Sequence, residues 1–383
     1  MDKSIIVTGA NGFIGANLCH FLTAKGYNVA CLVRKKADIK LLNKDFGYNN
    51  PSVSFYKESK FEDRKNGVSP SAPNKEERKL INLNKIVYCD FSDREELATI
   101  LSEYDIIIHL AGLTRAKNYK EYYEANVLLT KEIVEIVNKS KKCIQLIYLS
   151  SQAATGPSKD LTPKTEKDIE NPISWYGLSK YIAEKAVKSC KKDWTIIRPA
   201  SVYGEGDKDF LFYFKMINKH ISPIIGKKDK YVSLIYVKDL VEIISKCLLN
   251  KNAYNIILHA SDNTIYKIDD FIAVLRSAMD KNCFVFNISN KFIRKIAFMT
   301  DVIYSFTKKV PLLNGQKAIE LSQDSWLMNS DFIETNCNAK IDRDLTTNNQ
   351  SDTSSSLQKN IIETKQYTNL KRTFLWYQKN GYL

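Results

Sequence analysis

The stretch "IIVTGANGFIGANLCHFL", residues 5–22, carries the fold. Gly9, Gly12 and Gly15 stand at three-residue spacing, after an apolar run and before a segment with helical periodicity. A strand, a tight glycine turn and a helix N-terminus make an anion site. The unpaired amides and the helix dipole favour negative charge, and the missing side chains let a pyrophosphate come close. A tight turn where a helix packs on a strand would need the same glycines, so the triplet alone does not choose between the two.

Its surroundings do. "SIIVTG" (4–9), "NVACLV" (28–33), "KIVYCD" (85–90), "DIIIHLAG" (105–112), "IQLIYLSS" (144–151) and "WTIIRP" (194–199) read as buried strands. Helical patterns lie near 13–25, 93–103, 120–140 and 174–191. Alternation of this kind predicts an α/β fold, a doubly wound parallel sheet covered on both faces. Residues 1–200 and 233–258 are expected to form the nucleotide-binding domain, and 201–232 with 259–383 a smaller C-terminal substrate-binding lobe. Two polar stretches, 46–84 and 336–362 (the latter with "TTNNQSDTSSS"), read as loose surface insertions. The Phe- and Ile-rich block 284–306 reads as a packed helix of the C-terminal lobe. A lid or a membrane anchor is the alternative.

Composition narrows the function classes. No uninterrupted apolar run reaches 18 residues, so no transmembrane helix is expected. No secretory signal is visible, and a cytoplasmic protein is the expectation. The eight cysteines form no CxxC pair and read as reduced; the four histidines share no ligand spacing, so no metal is expected. The formal charge is +14, but the lysines are spread along the chain, often beside acids. That pattern fits a solvated surface suited to an anionic small molecule better than a nucleic-acid partner.

Further motifs follow in order. "TGANGFIG" (8–15) resembles the TGxxGFIG signature of the extended short-chain dehydrogenase/reductase family, in its NAD-dependent epimerase/dehydratase group. "IIHLAG" (107–112), "ANVLLT" (125–130), "YLSSQAATG" (148–156), "YGLSK" (176–180) and "RPASVYGEGD" (198–207) resemble that family's later landmarks. The resemblance implies a Rossmann sheet and an NAD(P) cofactor. It places the cofactor against Gly9, Asn11, Gly12, Phe13, Ile14 and Gly15, with Leu110, Ala111, Gly112 and Pro199 beside it. It also implies that Asp90 contacts adenine, that Asn126 shapes the site, that Lys180 bonds the nicotinamide ribose and that Ser151 holds the substrate oxygen. Ser150 is the rival for that last role.

Tyr176 and Lys180, four residues apart on a helix, share one face. A nearby ammonium favours the phenolate, so the pair can give or take a hydroxyl proton while hydride moves to or from the cofactor. At the end of the second strand, Val33 is followed by Arg34, Lys35 and Lys36, with no acid to hold ribose hydroxyls. Arg34 and Lys35 therefore predict a preference for NADP. The exposed start of a helix would look the same.

The substrate is less legible. Val232 stands where nucleotide-sugar enzymes of the family carry an arginine, and Ser201 where they often carry asparagine. These departures favour a non-nucleotide secondary alcohol or ketone. Lys227, Lys228 and Lys230 could still meet a phosphate. Nucleotide-sugar epimerisation or dehydration is the first alternative, and a non-catalytic NADP-binding scaffold the second. A homodimer is expected through 120–140 and 174–191, presenting Val127, Thr130, Val134, Val137, Tyr181 and Ala183; packing on the sheet would explain the same apolar faces.

Overall fold

The computed structural model describes residues 3–48, 85–226, 229–307, 310–337 and 364–383. The first half runs β1 (Ser4–Thr8), α1 (Phe13–Ala24), β2 (Asn28–Arg34), β3 (Lys85–Cys89), α2 (Arg94–Leu101), β4 (Ile106–His109), α3 (Leu129–Lys139), β5 (Gln145–Leu149), α4 (Trp175–Lys188) and β6 (Asp193–Pro199). There follow β7 (Ser201–Tyr203), α5 (Leu211–Asn218), β8 (Ile221–Ile225), β9 (Tyr231–Val232), β10 (Leu234–Tyr236), α6 (Val237–Lys246), β11 (Ile256–Ala260), β12 (Tyr266–Lys267) and α7 (Ile268–Met279). The last elements are β13 (Phe284–Ile288), α8 (Asn290–Ser305), α9 (Gly315–Leu321), β14 (Ser325–Trp326), α10 (Asp331–Cys337) and α11 (Lys365–Lys379).

The central sheet has seven strands in the order β11-β6-β5-β4-β1-β2-β3, and every pairing is parallel. It is a doubly wound α/β sheet of the Rossmann type. The order turns outward in both directions from β1, which pairs with β2 on one side and β4 on the other. That switch point opens a crevice at the carboxyl ends of the strands, where ligands of such sheets bind. Three small sheets, β10-β7, β12-β9-β14 and β13-β8, lie outside the main one.

Strand periodicity explains the two cores. Ile5 and Val7 point to one face, where they meet Leu18 and Leu22 of α1 and Val241 and Ile244 of α6. Ile6 and Ile107 point to the other, against Ile133 and Val137 of α3 and Ala183 and Val187 of α4. Strands covered on both faces need apolar residues at every position, which is why these runs do not alternate. Truncating one such side chain to alanine costs about 2–5 kcal/mol.

Several expectations need correction. Residues 46–48 are no loose insertion. Phe46 is buried, stacks on Trp376 of α11 with ring centroids 5.6 Å apart, and the Trp376 indole donates to the Asp45 carbonyl at 2.7 Å. Two large aromatic rings gain more by burial than the polar composition around them suggests. Residues 336–337 likewise end α10, with Cys337 buried. The rest of the two insertions, 49–84 and 338–362, lies outside the described residues.

The expected helix 120–140 is not one regular helix. Tyr119–Tyr122 is α-helical, Tyr123–Leu128 forms a π-helical turn, and α3 follows. The residues expected at a dimer interface are mostly spent inside the protomer: Val127, Thr130, Val134, Val137 and Ala183 are all buried. Block 284–306 also departs from the packed helix expected. Of α8 only Ile293 and Ala297 are buried, while Phe292, Phe298 and Phe306 are exposed. Among the described residues no helix is long and apolar enough to cross a membrane.

Candidate active site

The glycine turn joins β1 to α1 at the switch point. Gly9 holds φ at +69°, and a Cβ there would stand 2.7 Å from the Ala111 amide nitrogen at the end of β4. A side chain on Gly15 would collide with the Gly9 carbonyl. The glycines thus serve the tight packing that a bland turn also requires. Gly12 adds something else. It is the exposed N-cap of α1, and no side chain caps that end. The first-turn amides beside Phe13 and Ile14 therefore face outward, as an anion needs. Asn11 braces the turn by donating to the Asp38 carbonyl at 3.1 Å.

Behind the turn runs a buried polar chain. Thr8 Oγ1 lies 2.8 Å from His109 Nδ1, His109 Nε2 lies 3.0 Å from Thr130 Oγ1, and Thr130 donates to the Asn126 carbonyl at 2.6 Å. Thr8 Oγ1 also accepts the Ala111 amide at 3.1 Å. Burial pushes the His109 imidazole down to about 3, with the Lys180 charge acting the same way. His109 is a neutral strut between β1, β4 and α3.

Asn126 sits in the π-helical turn. Its side chain accepts the Leu113 amide at 2.7 Å, donates to the Leu113 carbonyl at 3.0 Å and donates to Ser179 Oγ at 2.9 Å. Ser179 in turn donates to the Tyr176 carbonyl at 2.7 Å. Asn126 therefore ties the loop after β4, where Gly112 packs on its Oδ1, to the helix bearing Tyr176. It is a positioning residue in this geometry.

α4 starts at the N-cap Ser174, whose Oγ accepts the Gly177 amide at 3.0 Å. Tyr176 is in its first turn and Lys180 one turn later. Burial pushes the Tyr176 phenol up to about 12; a hydrogen bond with Ser151 opposes it, Glu320 adds to it and Lys317 opposes it. Ser151 also accepts the Ala153 amide at 3.1 Å. The rival Ser150 is committed elsewhere, donating to Glu184.

Lys180 reaches the end of β5. Its Nζ donates to the Leu149 carbonyl at 2.6 Å and lies 4.2 Å from the Tyr148 ring centroid. Burial pushes it down to about 7, against Glu184, which raises it. A buried ammonium needs a fixed acceptor, and the strand-end carbonyl supplies it.

The cofactor candidates on β2 and β3 divide. Arg34 is exposed at the end of β2. Lys35 pairs with Glu96 at 2.9 Å, and Glu96 also accepts the Asp90 amide at 2.9 Å. The Asp90 carboxylate accepts Ser92 N at 3.0 Å and Ser92 Oγ at 2.6 Å, which hold it below the usual carboxylate range. Pro199 is buried at the end of β6.

Residues that no motif announced complete the site. Tyr176 faces a cleft lined by Thr114, Arg115, Tyr122, Asn314, Gln316, Lys317 and Glu320. α9 closes it directly over α4: Ser174 Oγ donates to Glu320 at 2.6 Å, and the Trp175 amide donates to Gln316 Oε1 at 2.7 Å. Lys317 lies 3.2 Å from Glu320, and Arg115 pairs with Asp209. Under the strand ends, Arg198 is wholly buried between Glu184 and Glu170. Arg198 is thus structural. Lys230, one of three lysines that could have met a phosphate, is buried and donates to the Leu321 carbonyl; Lys227 and Lys228 lie outside the described residues.

Comparison with known proteins agrees with this architecture. The model of the NAD dependent epimerase/dehydratase family matches residues 5–257. The chain belongs to that family, and it is an NAD(P)-dependent enzyme of the extended short-chain dehydrogenase/reductase kind. It is 26% identical over 294 residues to a UDP-glucose 4-epimerase of Vibrio cholerae, covering 73% of this chain and 77% of that protein. It is 22% identical over 249 residues to the decarboxylating sterol-4-alpha-carboxylate 3-dehydrogenase of Dictyostelium discoideum, covering 62% and 65%. Among solved structures, UDP-glucose 4-epimerase from Thermotoga maritima superposes with a TM-score of 0.68 at 15% identity, covering 99% of each chain. UDP-glucuronic acid 4-epimerase from Bacillus cereus, in complex with UDP-glucuronic acid and NAD, superposes with a TM-score of 0.66 at 17% identity, covering 98% of this chain and 99% of that one.

Proposed function

We propose that the enzyme moves a hydride reversibly between NADP and a secondary alcohol or ketone, with Tyr176 as general acid and base. One observation carries this: Tyr176, in hydrogen bond with Ser151, stands one helical turn from Lys180 at the mouth of the switch-point crevice. Tyr176 Oη gives its proton to a carbonyl oxygen or takes one from a hydroxyl; Ser151 Oγ holds that oxygen in line. Burial keeps Tyr176 a neutral phenol, which makes proton donation its resting role. Lys180, held at the Leu149 carbonyl, would bond a ribose hydroxyl of the bound dinucleotide, and Asn126 fixes the loop and helix around them. The dinucleotide fits the uncapped N-terminus of α1 beside Gly12, and when bound it supplies the hydride acceptor or donor. Arg34 would meet the additional phosphate of NADP, with Lys35 shared between that phosphate and Glu96. The lobe built from 201–232 and 259–383 would bring Lys317 and Glu320 to the substrate. The eight free thiols accord with a cytoplasmic enzyme, and the exposed Leu128 and Leu178 with a homodimer through these helices.

The substrate we assign is a non-nucleotide alcohol or ketone, because Val232 brings no cation and Lys230 is already engaged. A second reading, 4-epimerisation of a nucleotide sugar, is favoured by the Vibrio cholerae relative and by Arg115 and Lys317 in the cleft. A thermal-shift panel with NADP present separates them. Hydrophobic ketones should shift the melting point saturably; a shift with UDP- or dTDP-sugars and none with ketones makes the second reading the correct one.

A further inference from the structure

The largest unexplained feature is the outer face of α8. Phe292, Phe298, Met299, Val302, Ile303 and Phe306 are all large, apolar and exposed. At 100° per residue they fall on one continuous side of the helix, opposite the buried Ile293 and Ala297. Phe284 of β13, the strand that precedes the helix, is 71% exposed as well. Single exposed apolar residues need no explanation, but a contiguous group does.

The charges on this helix select the partner. Lys291 and Lys295 lie within the apolar side and Arg294 on its border, and all three are exposed. The one acid of α8, Asp301, is turned away and accepts the Gly315 amide at 2.8 Å. Lysine stems can lie along an apolar surface while their ammonium groups reach outward. A protein partner of ordinary composition would gain little from cations set among phenylalanines. Acyl chains below anionic headgroups match both at once.

We infer that α8 docks this enzyme in the plane of an anionic lipid surface, as an interfacial helix that does not cross it. The inference is independent of which substrate class the enzyme takes. The helix is tied to its own lobe on either side of α9: Thr300 Oγ1 donates to the Leu313 carbonyl at 2.7 Å, and Asn290 donates to the Ser322 carbonyl at 3.2 Å. These contacts bracket α9, which carries Gln316, Lys317 and Glu320 over Tyr176. Docking would therefore set the outer wall of the cleft against the lipid.

Vesicle co-sedimentation of the full chain tests this. The wild type should bind vesicles of phosphatidylcholine with phosphatidylserine, bind pure phosphatidylcholine more weakly, and lose affinity in high salt. Lys291→Glu with Lys295→Glu should lower binding to the mixed vesicles by roughly tenfold or more, since each cation near such a surface is worth about 1 kcal/mol. Phe298→Ser with Ile303→Ser should lower binding to both vesicle types. Equal melting temperatures establish that the variants fold, and Phe298→Trp gives a second readout, a blue-shifted emission when mixed vesicles are added. Absence of wild-type binding, or binding unchanged in both double variants, overturns the inference. So does a patch that instead joins two copies, seen as a dimer that Phe298→Ser with Ile303→Ser splits while vesicles bind neither form.

Discussion

Glu184 and Arg198 form a two-point ion pair between α4 and β6, with Arg198 Nε to Glu184 Oε1 at 2.9 Å and Nη2 to Oε2 at 2.6 Å. Both side chains are excluded from solvent. The pair sits one turn beyond Lys180 and also receives the Ser150 hydroxyl. Removing one member strands the other charge in the interior, which costs about 3–5 kcal/mol. Glu184→Ala should therefore lower the urea midpoint sharply. Glu170→Ala, at the more exposed end of Arg198, should cost clearly less. Equal losses in the two variants would show that Glu170 bears the buried charge as much as Glu184 does.

Tyr176→Phe keeps the ring and removes the hydroxyl that Ser151 engages. Turnover should fall about a hundredfold or more, the usual contribution of a positioned acid or base. Cofactor binding, measured by titration calorimetry, should stay close to wild type because the glycine turn is untouched. Near-normal turnover on a validated substrate would take Tyr176 out of the mechanism.

The sheet was legible because its strands are apolar at every position and separated by helical periods; Ile5–Val7 and Ile106–Ile108 leave little choice. Ser151, Tyr176 and Lys180 could be singled out because their spacing is a motif, and the catalytic roles given to them are part of the proposal. What the sequence concealed depends on contacts between distant segments. Nothing local in "YYEANVLL" announces a π-helical turn, which Asn126 stabilises through Leu113 and Ser179. Gln316, Lys317 and Glu320 belong to a short polar helix with no signature, and only the tertiary fold lays it over Tyr176. Glu184 offered a clue, an acid on the otherwise buried side of α4, four residues after Lys180. The direction of the Lys180 side chain could not be read at all, since a helical face does not reveal which nearby carbonyl will take its proton.

That direction has a consequence for pH. Lys180 titrates at about 7 in the fold, pushed down by burial, against ~10.4 for a free lysine. Between those values the unfolded chain binds more protons than the folded one, so stability should rise as pH climbs from about 7 towards ~10. Lys230, pushed down to about 8 by burial, acts in the same sense. Asp207, pushed up to about 7 by burial, acts oppositely but below this window, where its stabilisation is lost as pH rises. Urea denaturation across the range should show a smaller alkaline gain in Lys180→Met than in wild type. Identical slopes would mean that Lys180 is charged in the fold throughout.

Cofactor choice turns on how the cations after β2 are used. Lys35 is drawn sideways to Glu96, which also holds the Asp90 amide, so its charge is partly neutralised before any phosphate arrives. Arg34 has no such engagement among the described residues, and its planar fork suits a phosphate at two points. Arg34→Ala should therefore abolish most of the preference for NADP over NAD, while Lys35→Ala should change it less. Glu96→Gln should do the reverse and strengthen NADP binding by releasing Lys35. Titration calorimetry with both cofactors on the three variants decides the matter. Should NAD bind the wild type as tightly as NADP, with Arg34→Ala leaving the ratio unchanged, the cations after β2 are the solvated start of a loop and the enzyme is an NAD enzyme.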